Sequence, residues 1–131
     1  MRVAKARILC VDDDLDTCEM MTTLLGLSGY EVAHAQTVAD GERLAKQDGF
    51  DLVLLDWNFP DGTGIELCRR IRASNAEVPV LFLTGEAQDG EIKQAISAGA
   101  QGYLLKPVNT EDLLWVVSGS VGADDGKGQQ Q

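Results

Sequence analysis

Short apolar runs alternate along the chain with segments in which apolar residues recur at helical spacing, as Cys18, Met21 and Leu25 do. Five runs are predicted to be β-strands: residues 7–11, 31–35, 51–55, 79–83 and 102–105. The alternation predicts an α/β fold, with five parallel strands in one sheet and helices on both faces. Four runs are almost continuously apolar, which is typical of strands covered on both faces. The run at 31–35 is mixed, which indicates a position near a sheet edge.

Polar side chains follow the carboxyl ends of four predicted strands. Asp12 and Asp13 follow the first strand, Asp56 the third, Thr84 the fourth and Lys106 the fifth. In open α/β sheets these ends meet at one edge, where ligands bind. Carboxylates gathered there would repel one another without a cation, and Mg²⁺ prefers oxygen ligands. The pattern predicts a phosphoryl-transfer site in which carboxylates hold the metal, one carboxylate attacks phosphorus, and a hydroxyl and an ammonium hold the transferred oxygens.

Composition narrows the class of protein. With 131 residues and 44% hydrophobic content, the chain fits one domain with a real core, and the segment from about residue 119 to 131 is predicted to be a flexible polar tail. A net charge of −10 argues against direct binding of nucleic acid. The absence of a membrane-length apolar run or a signal peptide predicts a cytoplasmic protein without membrane contact. Cys10, Cys18 and Cys68 lack metal-type spacing and are expected to be reduced core thiols.

Four motifs lie at the strand ends: VDDD at 11–14, DWNFPDGTG at 56–64, LTG at 83–85 and YLLKP at 103–107. Together they resemble the acidic pocket, the phosphorylation loop and the switch elements of response regulator receiver domains in two-component systems, over residues 6–118. The resemblance is to chemotaxis-type receivers among others. It implies a flavodoxin-like (βα)5 three-layer fold, with a parallel five-stranded sheet of strand order 2-1-3-4-5.

The resemblance also implies roles for the acidic residues. Asp56 would accept a phosphoryl group from the phosphohistidine of a histidine kinase or a histidine phosphotransfer protein, forming an acyl phosphate. Asp13 would bind Mg²⁺ directly, Asp12 mainly through water, and Asp56 and the main-chain carbonyl of Asn58 would complete the ligand set. Asp14 is expected to cap a helix instead. Such a domain is not an enzyme beyond its own phosphorylation and dephosphorylation.

A switch is implied in the same way. Lys106 would pair with the phosphoryl oxygens, and the hydroxyl of Thr84 would move to bond them. The ring of Tyr103 would then fill the vacated space and report the charge at Asp56 to a partner surface. That surface is the face of the fourth helix, fifth strand and fifth helix, and its partner would be an effector domain, an effector protein or a second receiver. The bond between Lys106 and Pro107 is expected to be cis.

Two residues depart from the family's pattern, and two others bear on the lifetime of the phosphate. Gly85 stands where alanine is usual and should loosen the loop, and Val108 stands where an aromatic residue is common. Both departures affect the expected amplitude of the conformational change and leave the acceptor role of Asp56 intact. Asn58 and Glu86 flank the path of an attacking water, and their polarity predicts rapid self-dephosphorylation.

Two other functions compete with this interpretation. A haloacid-dehalogenase-like phosphatase would use Asp12 and Asp14, but the chain is short, has no cap insertion and would leave Asp56 without a role. A pseudoreceiver would bind a partner without phosphorylation, which a complete set of site residues disfavours. The sequence leaves open the cognate kinase, the output, the oligomeric state, and whether the domain is free-standing or part of a longer regulator.

Overall fold

The computed structural model describes residues 4–47, 49–85 and 89–121. The sheet strands are β1 (Arg7–Val11), β2 (Glu31–Ala35), β3 (Leu52–Asp56), β4 (Val80–Thr84) and β5 (Gly102–Leu105). The helices are α1 (Leu15–Leu27), α2 (Val38–Gln47), α3 (Gly64–Ser74), α4 (Asp89–Ser97) and α5 (Thr110–Ser120). α5 therefore includes the first two residues of the predicted tail, and residues 122–131 lie outside the described residues.

The five strands form one parallel sheet in the order β2-β1-β3-β4-β5, as predicted. Two apolar cores lie on its opposite faces. One core packs α2, α3 and α4 against the sheet, and the other packs α1 and α5 against it. The three-layer prediction is confirmed. β3 and β4 each begin and end one residue later than predicted, so that Asp56 and Thr84 are the last residues of their strands.

The fifth strand is less buried than its composition indicated. β5 is an edge strand of the sheet, and 41% of Tyr103 and 53% of Leu105 are exposed. The expectation that this run is covered on both faces was wrong, because alternate residues of an edge strand can face solvent when no helix covers them. Trp115, on the neighbouring α5, also points outward, with 80% of its surface exposed.

The cysteines and helix starts agree with the predictions for them. Cys10, Cys18 and Cys68 are buried free thiols. Asp14 occupies the N-cap position of α1, although its carboxylate accepts a hydrogen bond from the Thr17 hydroxyl and none from the backbone. Among the described residues, no helix has the length and apolar character needed to cross a membrane.

Candidate functional site

The predicted site residues meet at the carboxyl edge of the sheet. The ammonium nitrogen of Lys106, just after β5, lies 2.8 Å from Oδ2 of Asp12 and 3.4 Å from Oδ1 of Asp56. Because β1 and β3 are neighbours, their two carboxylates lie side by side, and the lysine reaches both of them across the end of β4. Burial lowers the pKa of Lys106, but the two carboxylates outweigh that effect and raise it above its usual value, so the side chain stays charged.

Asp12 is the most enclosed member of the cluster, with no exposed surface. Its Oδ2 accepts from Lys106 and its Oδ1 accepts from the backbone N–H of Asp14, 2.9 Å away. A buried carboxylate is tolerated when it is paired and hydrogen-bonded in this way. Both oxygens therefore already have protein donors, which suits a carboxylate that would contact a metal mainly through water.

Asp56 is partly exposed at the end of β3, with 16% of its side chain accessible. Its Oδ1 accepts from the backbone N–H of Trp57 at 2.8 Å. Burial is the main cause that raises the pKa of Asp56 to about 6; the charge of Asp12 and a contact with Asp13 add to it, while the Trp57 N–H and Lys106 oppose it. At neutral pH the carboxylate is ionised, accessible and held in one orientation, as a nucleophile must be.

Three carboxylates in this cluster could hold a metal ion. Asp12, Asp13 and Asp56 each offer an oxygen, and these oxygens lie within 4.8 Å of one another. An all-oxygen set with an exposed member that leaves room for water fits Mg²⁺. Asp14 lies outside this set and bonds Thr17, so the carboxylate that the phosphatase alternative requires faces the helix start.

The loop after Asp56 folds into a short ribbon that the sequence did not predict. Residues Asn58–Phe59 pair antiparallel with Gly62–Thr63, and the Gly64 N–H closes the loop by donating to the Trp57 carbonyl at 2.8 Å. Gly64 has to be glycine, because a Cβ there would overlap the carbonyl oxygen of Asp56 and lie 2.7 Å from a ring carbon of Phe82. The side chain of Phe59 is buried in the core, whereas that of Asn58 is exposed.

A second feature of this loop also escaped the sequence analysis. The Asp61 carboxylate accepts from the first two backbone N–H groups of α2, those of Val38 and Ala39. Asp61 entered the sequence analysis only as part of the motif DWNFPDGTG; its position between Pro60 and Gly62 is typical of a turn and was the one available signal. Nothing in the spacing indicated a contact with a helix more than twenty residues earlier.

The predicted switch residues lie on β4 and β5, the two strands that follow β3 in the sheet. Thr84 is 8% exposed, and its carbonyl accepts from the backbone N–H of Lys106 at 2.8 Å. The peptide bond between Lys106 and Pro107 is cis, as predicted. Tyr103 pairs in register with Phe82, two residues before Thr84, and its ring is partly exposed. Glu86, predicted to tune dephosphorylation, lies outside the described residues.

Comparison with known proteins gives one consistent result. The sequence model of the family described as "Response regulator receiver domain" matches residues 8–118. The phosphate regulon transcriptional regulatory protein PhoB of Pseudomonas aeruginosa is 32% identical over 109 residues, which cover 82% of this chain. The matched region is 48% of that protein, so the chain spans about half the length of this relative.

Solved structures agree in fold. Chemotaxis protein CheY4 of Vibrio cholerae has a TM-score of 0.84 and 32% identity, with 88% of this chain and 98% of that chain covered. The receiver domain of a sensor histidine kinase from Pseudomonas aeruginosa has a TM-score of 0.83 and 28% identity, with 90% and 98% covered, and its crystal structure has a magnesium ion coordinated in the active site cleft. The flavodoxin-like arrangement predicted above is confirmed by the strand order and by this likeness.

Proposed function

Because the chain belongs to the family of response regulator receiver domains, we propose that it accepts a phosphoryl group on Asp56 in a two-component phosphorelay. The donor is the phosphohistidine of a histidine kinase or of a histidine phosphotransfer protein. A carboxylate oxygen of Asp56 forms a bond to phosphorus while the bond from phosphorus to the histidine nitrogen breaks. That nitrogen leaves with the electron pair, and the product is an acyl phosphate.

One observation carries this proposal: Lys106 lies within 3.4 Å of an oxygen of Asp56 and also pairs with the buried Asp12. The ammonium is thereby aimed at the place where phosphoryl oxygens arrive once Asp56 attacks. It neutralises negative charge as a point charge, and its second bond to Asp12 holds it in position. The hydroxyl of Thr84 is the second donor to the transferred oxygens.

The acidic residues would contribute in different ways to binding the metal ion. Asp13, Asp56 and the main-chain carbonyl of Asn58 would hold Mg²⁺, and Asp12 would contribute mainly through water. When bound, the ion supplies positive charge that offsets the charge of the carboxylates and of the phosphoryl group. Asp56 has to be ionised both for metal binding and for attack, and at neutral pH its pKa of about 6 keeps it so.

The switch connects the new charge at Asp56 to the surface. Thr84 moves towards the phosphoryl oxygens, and the ring of Tyr103 turns into the space that this movement vacates. The surface that changes is formed by α4, β5 and α5, where exposed apolar side chains are Ile96, Tyr103, Leu105 and Trp115. Exposed apolar side chains on one face suit a protein partner, here an effector domain, an effector protein or a second receiver.

The acyl phosphate is removed by water. Asn58 and Glu86, two residues after the acceptor and two after Thr84, orient or admit the attacking water, which gives rapid self-dephosphorylation. The chain has no activity on other substrates. The functional unit is the receiver domain predicted over residues 6–118, and its last helix ends at Ser120.

The test uses Trp57, whose backbone N–H donates to Asp56 and whose ring packs in a tilted arrangement against Phe82, with the ring centroids 4.9 Å apart. Trp115 is replaced by Phe so that Trp57 is the sole fluorophore of its kind, and Mg²⁺ and then beryllofluoride, a mimic of the aspartyl phosphate, are titrated into this protein and its Asp56→Asn variant. We expect a saturable, Mg²⁺-dependent fluorescence change only when Asp56 is present. Equal responses in both proteins, or none in either, would refute the proposal.

Mass spectrometry after exposure to a small acyl phosphate or phosphoramidate gives a second readout. One phosphoryl group should appear per chain and should be absent in Asp56→Asn. Repeated hydrolysis of phosphomonoesters by the wild type, retained in Asp56→Asn, would instead support a phosphatase.

A further inference from the structure

The start of helix α2 is held by two residues from different parts of the chain. The first N–H groups of a helix have no partner within the helix and need other acceptors. Thr37, just before α2, accepts through its hydroxyl from the N–H of Asp40 at 3.1 Å. The other two N–H groups donate to Asp61: Val38 donates to Oδ1 at 2.8 Å and Ala39 to Oδ2 at 3.1 Å. One carboxylate thus uses both oxygens on this helix.

Asp61 lies at the tip of the ribbon that follows the phosphoacceptor. Asn58 pairs with Thr63 and Phe59 with Gly62, so Asp61 is in the turn that joins the two ribbon strands. Asn58, at the base of the same ribbon, is the residue proposed to offer its carbonyl to Mg²⁺. The contact between Asp61 and α2 therefore ties the tip of the ribbon to a helix outside it.

The contact is also favourable electrostatically. A negative group at a helix N-terminus interacts with the partial positive charge of the helix dipole. The hydrogen bonds from Val38 and Ala39 lower the pKa of Asp61, so the carboxylate is ionised wherever the protein is folded at ordinary pH. Because both oxygens of the ionised carboxylate accept hydrogen bonds, the contact fixes the orientation of the loop relative to α2 as well as its distance from α2.

We propose that Asp61 is a positioning residue for the metal and phosphoryl site, because it fixes the ribbon that carries the Asn58 carbonyl against the start of α2. This inference rests on the proposed function. Asp61 touches neither the metal nor the phosphoryl group; it acts through the ribbon, as an outer residue orients a metal ligand.

The chain offers matched controls. Asp61→Ala removes the contact between loop and helix. Thr37→Ala weakens the same helix start without touching the ribbon, and Asp40→Asn removes an equal charge from α2, where Asp40 pairs with Arg43 on the surface. Asp61→Asn keeps one acceptor oxygen and changes the charge by the same amount as Asp40→Asn.

The experiment measures Mg²⁺ affinity by Trp57 fluorescence and the unfolding midpoint by circular dichroism for each variant. We expect Asp61→Ala to weaken Mg²⁺ binding by about tenfold and Asp61→Asn to weaken it less. Thr37→Ala should lower the unfolding midpoint while leaving Mg²⁺ affinity unchanged, and Asp40→Asn should also leave the affinity unchanged.

Three results would overturn the inference. The first is unchanged Mg²⁺ affinity in folded Asp61→Ala. The second is an equal loss in Thr37→Ala, which would assign the effect to helix stability. The third is an equal loss of Mg²⁺ affinity in Asp61→Asn and Asp40→Asn, which would assign the loss to the change in charge. This comparison also tests the inference if Asp61→Ala does not fold. Failure of the proposed function is distinguishable, since the wild type would then show no Mg²⁺ response that depends on Asp56.

Discussion

The ammonium group of Lys106 donates to Oδ2 of Asp12 over 2.8 Å, although the two residues lie 94 positions apart in the sequence. Asp12 has no exposed surface, whereas 29% of the Lys106 side chain is accessible. The lysine therefore has a structural role that does not depend on the proposed phosphoryl transfer. It neutralises a carboxylate that the fold has removed from water, and it also lies 3.4 Å from the second carboxylate, Asp56.

Replacing this lysine should destabilise the protein when Mg²⁺ is absent. Lys106→Met leaves the buried Asp12 without its cation, and we expect the free energy of unfolding to fall by about 2 kcal/mol, less than for a fully buried pair because Lys106 is partly exposed. Added Mg²⁺ should restore part of the loss. Chemical denaturation with and without Mg²⁺ measures both effects.

The control is Lys46→Met. Lys46 pairs with Glu42 at 3.0 Å on the surface of α2, and an exposed pair of this kind contributes about 0.5 kcal/mol or less. If the two lysine variants lost equal stability, the buried pair would have no special role.

Asp56→Asn should stabilise the metal-free protein at pH 7.5. The pKa of Asp56 is about 6 in the folded state, above its ordinary value of 3.8, so the folded protein binds this proton more tightly than the unfolded chain does. The stability that the group contributes is therefore fully present below pH 3.8 and is lost as the pH rises through 6.

Asparagine does not ionise, and we expect a gain of about 1 kcal/mol at pH 7.5, after allowance for the weakened contact with Lys106. The gain should almost vanish at pH 4.5, where Asp56 is protonated in the folded wild type. Denaturation in the presence of a chelator at the two pH values checks this. A variant less stable than the wild type at pH 7.5 would contradict it.

Mg²⁺ affinity should depend on pH through the same carboxylate. A metal binds ionised Asp56, so protonation competes with it. Above the pKa of about 6 the affinity should be nearly constant, and below it each unit of pH should weaken apparent binding by about tenfold for the one proton displaced. Calorimetric titrations between pH 5 and 8 at constant ionic strength measure this slope. Equal affinity at pH 5 and pH 7 would contradict the prediction.

Gly64→Ala should be strongly destabilising. Its Cβ would overlap the carbonyl oxygen of Asp56 and press on Phe82, so the acceptor loop would have to shift. We expect the free energy of unfolding to fall by about 3 kcal/mol, with weaker Mg²⁺ binding. Thermal unfolding and the Trp57 titration measure the two effects.

Gly26→Ala is the matched control for that substitution. Gly26 is an exposed residue of α1, and a Cβ there meets nothing within 4 Å. Alanine should stabilise this helix by about 0.5 kcal/mol, because it loses less conformational freedom on folding than glycine does. Equal and small effects of the two substitutions would show that the loop tolerates a side chain at position 64.

The cluster of Asp12, Asp13, Asp56 and Lys106 could be predicted from sequence because its geometry follows from topology. Each residue lies at, or within two residues of, the carboxyl end of an apolar strand. Parallel strands bring those positions to one edge of the sheet, independently of how the loops fold. The strand order was predicted from the resemblance of the motifs to those of receiver domains, since the apolar pattern defines five strands but not their order in the sheet.

The missed features depend on contacts that no local pattern records. Asp61 binds Val38 and Ala39 because of the path of a short ribbon, and the need for glycine at position 64 arises from a close approach of two backbone segments. The exposure of Leu105 escaped prediction for another reason. Apolar residues in a run indicate burial, but they do not say whether a helix of the same chain or another molecule covers them.

The strand order has a consequence for synthesis of the chain. β1 supplies Asp12 early, β3 supplies Asp56 near the middle, and Lys106 follows β5, the last strand to be made. A nascent chain that lacks β5 holds carboxylates without their ammonium group, and the missing contact is among the longest in sequence that the fold makes. We therefore expect chemistry that needs all three groups only in molecules in which β5 has joined the sheet.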